Sequence, residues 1–210
     1  MSRDSIDEPR TQRSRRTREA LLTTARTILE EGGFDALTMS SVADRAGVTR
    51  RTAYLHFDSR GKLVTALFDH NTAAEGLERS LARVWDAPDA ATAIDEWAAH
   101  LARYHPRLVA VDRAIEHAHR SDPDVAALRA KVVAAKLAHC RRLVRWLADE
   151  HSLAPDWTTR SAADMLYSLI STDLIEALTT DRGWSKQRLA RHLGVTFRAA
   201  FVADPNRTAQ

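Results

Sequence analysis

Three features of this 210-residue sequence predict an all-α fold. Apolar residues recur at three- and four-residue spacing along most of the chain. No segment alternates apolar and polar residues in the manner of a half-buried strand. Seven glycines and six prolines are too few for the many tight turns of a β-sandwich or barrel. Hydrophobic residues make up 44% and charged residues 28%, the balance of a globular chain rather than a disordered one. No apolar run reaches the roughly 20 residues of a membrane span. The N-terminal MSRDSIDEPRTQRSRR has no apolar signal segment, so a cytoplasmic chain is expected. A lone Cys140 excludes an internal disulfide framework and a Cys-rich zinc module.

The elements follow in order. Residues 1–14 are charged without periodicity and are expected as a flexible basic arm. Leu21, Leu22, Ala25, Ile28 and Leu29 stripe a first helix from Arg16 to Glu31, which Gly32-Gly33 stops. Phe34 and Leu37 anchor the loop beyond it. Thr38 is the expected cap of a short second helix carrying Met39, Val42, Ala43 and Ala46. Gly47 breaks that helix, and Thr49 caps a third, Arg50 to His56, closed by Phe57. Ser59 opens a fourth helix striped by Leu63, Leu67, Ala74, Leu77, Leu81 and Trp85. A fifth carries Ile94, Trp97, Ala98, Leu101 and Tyr104, and Pro106 is expected at the first position of a sixth. Ser121-Asp122-Pro123 starts a long helix to about Glu150. Trp157 to Thr180 and Lys186 to Val202 complete about nine helices.

The net charge of +3 is mild, but its distribution is not even. Arg10, Arg13, Arg15, Arg16 and Arg18 lie together with no acid between Glu8 and Glu19. A second group, Arg50, Arg51, Arg60 and Lys62, falls in TMSSVADRAGVTRRTAYLHFDSRGK, residues 38–62. There a small residue, Ala43, sits where two helices cross. Gly47 supplies a left-handed turn, and Val48 plugs it. These offsets are the mechanics of a helix-turn-helix, whose second helix enters the major groove by its leading turn. Thr49, Arg50, Arg51 and Thr52 occupy that turn, and an arginine can bind both acceptors of guanine. Tyr54 and His56 lie further along, within reach of phosphate. Lys62 in a first turn opposes the helix dipole, and Gly61 beside it lowers helix propensity. A phosphate at that helix start would account for both.

Residues 17–68 resemble the DNA-binding domain of the TetR family of bacterial transcriptional regulators. The resemblance rests on EEGGFDALT, on the Ala-Gly-Val-Thr turn, on the Thr-x-Tyr-x-His-Phe run and on the Ser-Arg after it. It implies that Thr38, Tyr54, His56 and Arg60 contact phosphates while Thr49, Arg50, Arg51 and Thr52 face the groove. Three positions depart from the family pattern: Arg51 where glycine is frequent, Ala53 where a larger apolar residue is usual, and Gly61 for a common glutamate. The expected division is an arm over 1–14 and a three-helix helix-turn-helix DNA-binding domain over 15–62. A larger helical domain for effector binding and dimerisation spans 63–205.

In that larger domain two readings compete for the apolar last helices. Ala163, Leu166, Leu169, Ile170, Leu174, Ile175 and Leu178 lie on one, and Leu189, Leu193, Val195, Phe197, Phe201 and Val202 on the other. Either the monomer core buries them, or a homodimer does through a four-helix bundle. The resemblance implies the dimer, which would read a palindromic operator in double-stranded DNA. A small-molecule effector is expected against Trp97, Tyr104, His139, Trp146 and Tyr167, polar or aromatic groups on apolar stripes; core packing is the bland alternative for each. No cofactor or metal is expected. His117 and His119, two apart on a helix, point about 200° from one another and do not converge. Cys140 is expected as a small core residue. The resulting expectation is a ligand-responsive regulator, acting as a repressor. The alternatives are an all-α enzyme with a histidine–carboxylate site and a sequence-independent architectural DNA binder. No nucleophile elbow, phosphate loop or HExxH helix is present in the sequence.

Overall fold

The structure is a computed structural model that describes residues 7–74 and 76–204. The described residues form eleven α-helices: α1 Asp7–Ala36, α2 Met39–Arg45, α3 Arg50–His56, α4 Arg60–Ala74, α5 Leu77–Trp85, α6 Ala90–Tyr104, α7 Val109–Ala118, α8 Pro123–Asp149, α9 Thr159–Ser168, α10 Thr172–Glu176 and α11 Lys186–Phe201. A 3-10 turn, His105–Arg107, precedes α7, and a π-helical turn, Ala177–Asp181, follows α10. The one extended pairing among the described residues is an isolated bridge between Leu153 and Val202. None of the described helices is long and apolar enough to cross a membrane.

Eleven helices replace about nine because two expected helices are broken. The fourth stops at Gly76, whose left-handed backbone (φ +70°) starts α5 afresh. The apolar stripe continues in phase across this break, so periodicity alone does not reveal it. The eighth divides at Ser171, which caps α10 by accepting from the Leu174 N–H, and ends in the π turn before Gly183 (φ +64°). Pro106 lies inside the 3-10 turn rather than opening a helix. The expected arm also differs: α1 is helical from Asp7, so only residues 1–6 of it lie outside the described residues. Pro9 does not prevent this, because an N–H in the first helical turn has no intrahelical partner to lose.

The chain divides into two compact units. One holds the chain up to Asn71 together with Ala110–Arg129; the other holds Thr72–Val109 and the chain from Ala130. The expected boundary at 62/63 falls inside α4. In the first unit α1 is broken at Gly33 (φ +68°, ψ −168°), and Phe34 and Leu37 beyond the kink are buried, as the loop-anchor reading expects. Leu21, Ala25, Val42, Ala43, Ala53, Leu63 and Leu67 are fully enclosed. Val48 is half-buried rather than buried.

The second unit is built on α6 packed along α11. Leu189, Leu193, Phe197 and Phe201 are buried in its core, so the monomer already uses them. Gly194 brings α11 close to Asp95 and Ala98 of α6, and Arg198 closes the contact with a two-pronged ion pair to Asp95. Cys140 is enclosed in the same core, where burial pushes its thiol up to about 12. Among the described residues no group of three or more His, Cys, Asp or Glu side chains gathers as a metal site.

Candidate nucleic-acid interface

Side-chain caps set the start of each short helix in the first unit. Thr38 Oγ1 accepts from the Ser41 N–H at 2.9 Å, and Ser41 Oγ accepts from the Thr38 N–H at 2.9 Å, a reciprocal capping box. After α2 the chain turns through Gly47 (φ +69°), and Val48 donates to the Ala43 carbonyl at 3.0 Å. Thr49 then caps α3 by accepting from the Thr52 N–H at 3.1 Å. Ala53 is fully buried and Phe57 nearly so, which seats α3 by one edge. The Arg18 guanidinium lies 4.7 Å from the Phe57 ring centroid.

The opposite edge of α3 faces out. Thr49, Arg50 and Arg51 are exposed, and Thr52 and His56 are half-exposed. Arg50 leans over Tyr54, 5.5 Å from its ring centroid, with Nη2 3.4 Å from the hydroxyl. Thr38, Arg50, Tyr54 and Arg60 line one open depression between the starts of α2 and α4. Arg13, Arg15 and Arg16 of α1 are exposed as well. The face therefore offers guanidinium forks, hydroxyls and an imidazole on a short, capped helix. That set suits base edges and phosphate oxygens.

Two expected contacts have other work in the folded chain. Arg60 stacks 3.9 Å from the Phe34 ring centroid and donates to the Leu37 carbonyl at 3.4 Å. Lys62 pairs with Asp124 at 2.9 Å, which holds the ammonium above its usual range and the carboxyl below. Ser59 Oγ donates to the same Asp124 carboxylate. A Cβ at Gly61 would displace the Asp122 carboxylate, whose Oδ1 accepts from the Asp124 and Val125 N–H groups at the start of α8. These neighbours account for Gly61 and Lys62 without a phosphate. One outward residue escaped the sequence reading: Leu55 is 77% exposed. The signal was available, because Leu55 stands four residues after Arg51 and shares its face.

The expected effector residues all lie in the second unit, but only some come together. Trp97 is 2% exposed, and its Nε1–H has no acceptor among the described residues. His139 stands between Trp97 and Trp85, at 6.0 and 5.6 Å between ring centroids. His100 stacks on Trp97 at 5.1 Å and on Tyr104 at 5.5 Å. Trp97, Tyr104 and His139 thus belong to one chain of rings whose middle member, His100, is not among the expected effector residues. Trp146 instead donates to Glu150, whose other oxygen accepts from the Ala90 N–H and so caps α6. Tyr167 packs half-buried against the core without joining the rings.

Burial, with Arg103 and His139 adding to it, lowers His100 to about 3. The ring is therefore neutral. Ser80 Oγ accepts from Arg103 Nε at 3.3 Å, which leaves its own hydrogen for His100 Nδ1 at 2.9 Å. His105, buried beside Tyr104, is held well below the usual imidazole range, chiefly by burial and then by Lys136.

Residues 21–67 match the family model described as bacterial regulatory proteins, tetR family. None of the curated protein sequences matches the chain. Solved structures match across its length. NalD from Pseudomonas aeruginosa, the secondary repressor of the MexAB-OprM multidrug efflux pump, is 21% identical, with a TM-score of 0.70 over 92% of this chain and 99% of its own. A transcriptional regulator from Saccharomonospora viridis in complex with choline is 18% identical, with a TM-score of 0.71 over 89% and 98%. The fatty acid degradation regulator FadR from Bacillus halodurans is 16% identical, with a TM-score of 0.66 over 86% and 93%. At these identities the structures share the fold with this chain. Over residues 21–67, the helix-turn-helix segment, the chain is similar to the TetR family of bacterial regulatory proteins.

Proposed function

We propose that the protein is a cytoplasmic transcriptional repressor that binds a palindromic operator as a homodimer and is released by a small-molecule effector. The observation that carries this reading is the outer edge of α3. Arg50 and Arg51 stand exposed on a leading turn that Thr49 caps and Ala53 anchors. Thr49, Arg50, Arg51 and Thr52 are assigned to the groove. Thr38, Tyr54 and His56 are assigned to phosphates. Arg60 and Lys62 have a smaller share, since Phe34 and Asp124 already engage them. Leu55 adds an apolar contact of the kind a thymine methyl accepts.

One such helix reads only a few base pairs, so specificity calls for two, at half-sites about 34–36 Å apart or a multiple of that. The core has taken the inner faces of α9 and α11. What they leave outside includes Met165, 44% exposed, and Val195, 62% exposed. We assign the dimer contact to those outer faces. The effector is assigned to the second unit; a regulator of the same fold, from Saccharomonospora viridis, forms a complex with the small molecule choline. Coupling of about 1–3 kcal/mol between effector and operator suffices for a population shift. No catalytic role is assigned.

Selection of bound sequences from random duplex DNA tests this reading. An inverted repeat is the expected product. Recovery of unrelated sequences at one common affinity would instead make the protein an architectural binder.

A further inference from the structure

We propose that the effector is a small organic anion, a carboxylate or phosphate on a compact body, taken by a cationic pocket in the second unit. This rests on the reading of that unit as the effector-binding part. The pocket has a volume of about 250 Å³ and is lined by Arg79, Arg83, Arg103, Arg107 and Lys186, with Gly76, Ser80 and Tyr104. No carboxylate is among the described lining residues. Among the described residues none lies within ion-pair distance of Arg79, Arg83 or Lys186. Arg103 reaches Glu96 only at 3.5 Å.

Three further observations point the same way. Like charges gathered round one cavity repel each other unless an anion lies between them. Lys186 opens α11, whose first turn holds no acid, so its charge sits against the helix dipole with no gain in stability. Gly76 also lines the pocket, and it starts α5 with no side-chain cap, which leaves the positive end of that nine-residue helix at the rim. Arg79 folds back over Gly76, its Nη2 3.2 Å from where a Cβ would stand. The anionic head meets this ring of donors, and the body lies toward Tyr104, whose ring stacks on His100 and, through it, on the chain to Trp97. The same charges reject a cation such as choline.

Calorimetric titration of the full chain with benzoate, phenyl phosphate, benzyl alcohol and choline tests the proposal. At least one of the two anions is expected to bind saturably, one per protomer, and the tighter of them identifies the head group. Benzyl alcohol and choline are expected to bind at least about tenfold more weakly. The double variant R79Q/R83Q should lose about tenfold in anion affinity with an unchanged helical circular dichroism signal. Arg145→Gln, on α8 away from the pocket, should bind as the native chain does. No heat from either anion, equal binding of alcohol or choline, or unchanged affinity in the double variant would overturn the proposal. Operator binding in a gel shift is read separately with each probe. Release by choline or benzyl alcohol without anion binding would overturn the anionic class and leave the regulator standing. Anion binding that leaves operator affinity unchanged would support the pocket and remove its regulatory role.

Discussion

The two units are held by different kinds of chemistry. In the first, short helices are fixed one at a time by local devices: the Thr38–Ser41 box, the Thr49 cap, the left-handed Gly33 and Gly47. In the second, long helices are fixed against one another by large side chains from distant parts of the chain. Phe197 and Phe201 of α11 lie with Trp97 and Leu101 of α6 and Leu143 of α8 in one core. The difference suits the work proposed for each unit. A reading head must present a few side chains in one pose, and caps do that without a large core. A ligand-binding body must surround something, and only long-range packing encloses space.

Deleting a ring from the second unit should give the largest effect. Phe197→Ala is expected to cost about 3–5 kcal/mol of stability by denaturant unfolding, since Phe197 is fully buried. A cost no greater than that of a lost cap would collapse the contrast between the units. Next come the outward residues of the first unit. Arg50→Gln and Arg51→Gln should each weaken operator binding by about 1–3 kcal/mol with unfolding unchanged, read by fluorescence anisotropy and denaturation side by side. Stability loss instead of affinity loss would move these residues from recognition to structure.

The third effect belongs to the second unit alone. His100 is lowered to about 3 by burial and by the Arg103 and His139 charges, against about 6.5 when unfolded. The unfolded chain then binds the extra proton between those values. The stability His100 lends is present above about pH 6.5 and falls away on acidification toward 3. The loss at pH 5 is about 2 kcal/mol. His105, shifted the same way, adds to it. Thermal melts from pH 7 to pH 5 should show this decline, and His100→Gln should flatten it. An unflattened decline would place the proton elsewhere. The smallest effect is local: Thr38→Ala should cost about 1 kcal/mol, from the lost cap of α2.

The first unit was the more legible in the sequence. Thr38, Thr49 and Gly47 announce their roles because a cap or a left-handed turn needs a particular residue at a particular place, whatever surrounds it. The outward set from Thr49 to Tyr54 followed from the same spacing. Lys62 and Gly61 misled, because their partners, Asp124 and Asp122, stand some sixty residues away in the chain. In the second unit periodicity carried the expected fourth helix straight through Gly76. Three of the five expected effector residues share one chain of rings, and His100 and Ser80, which join that chain to the cationic pocket, were not among the five.

The sequence by itself determined the all-α class, the helix-turn-helix and, Leu55 apart, the residues that α3 turns outward. Each follows from interactions within a few residues, where spacing fixes geometry. The tertiary structure alone decided that Lys62 answers Asp124, that the monomer core takes the inner face of α11, and that five cations from α5, α6, the 3-10 turn and α11 line one pocket. Those pairings join residues far apart along the chain. They exist only once packing has chosen which helix faces meet.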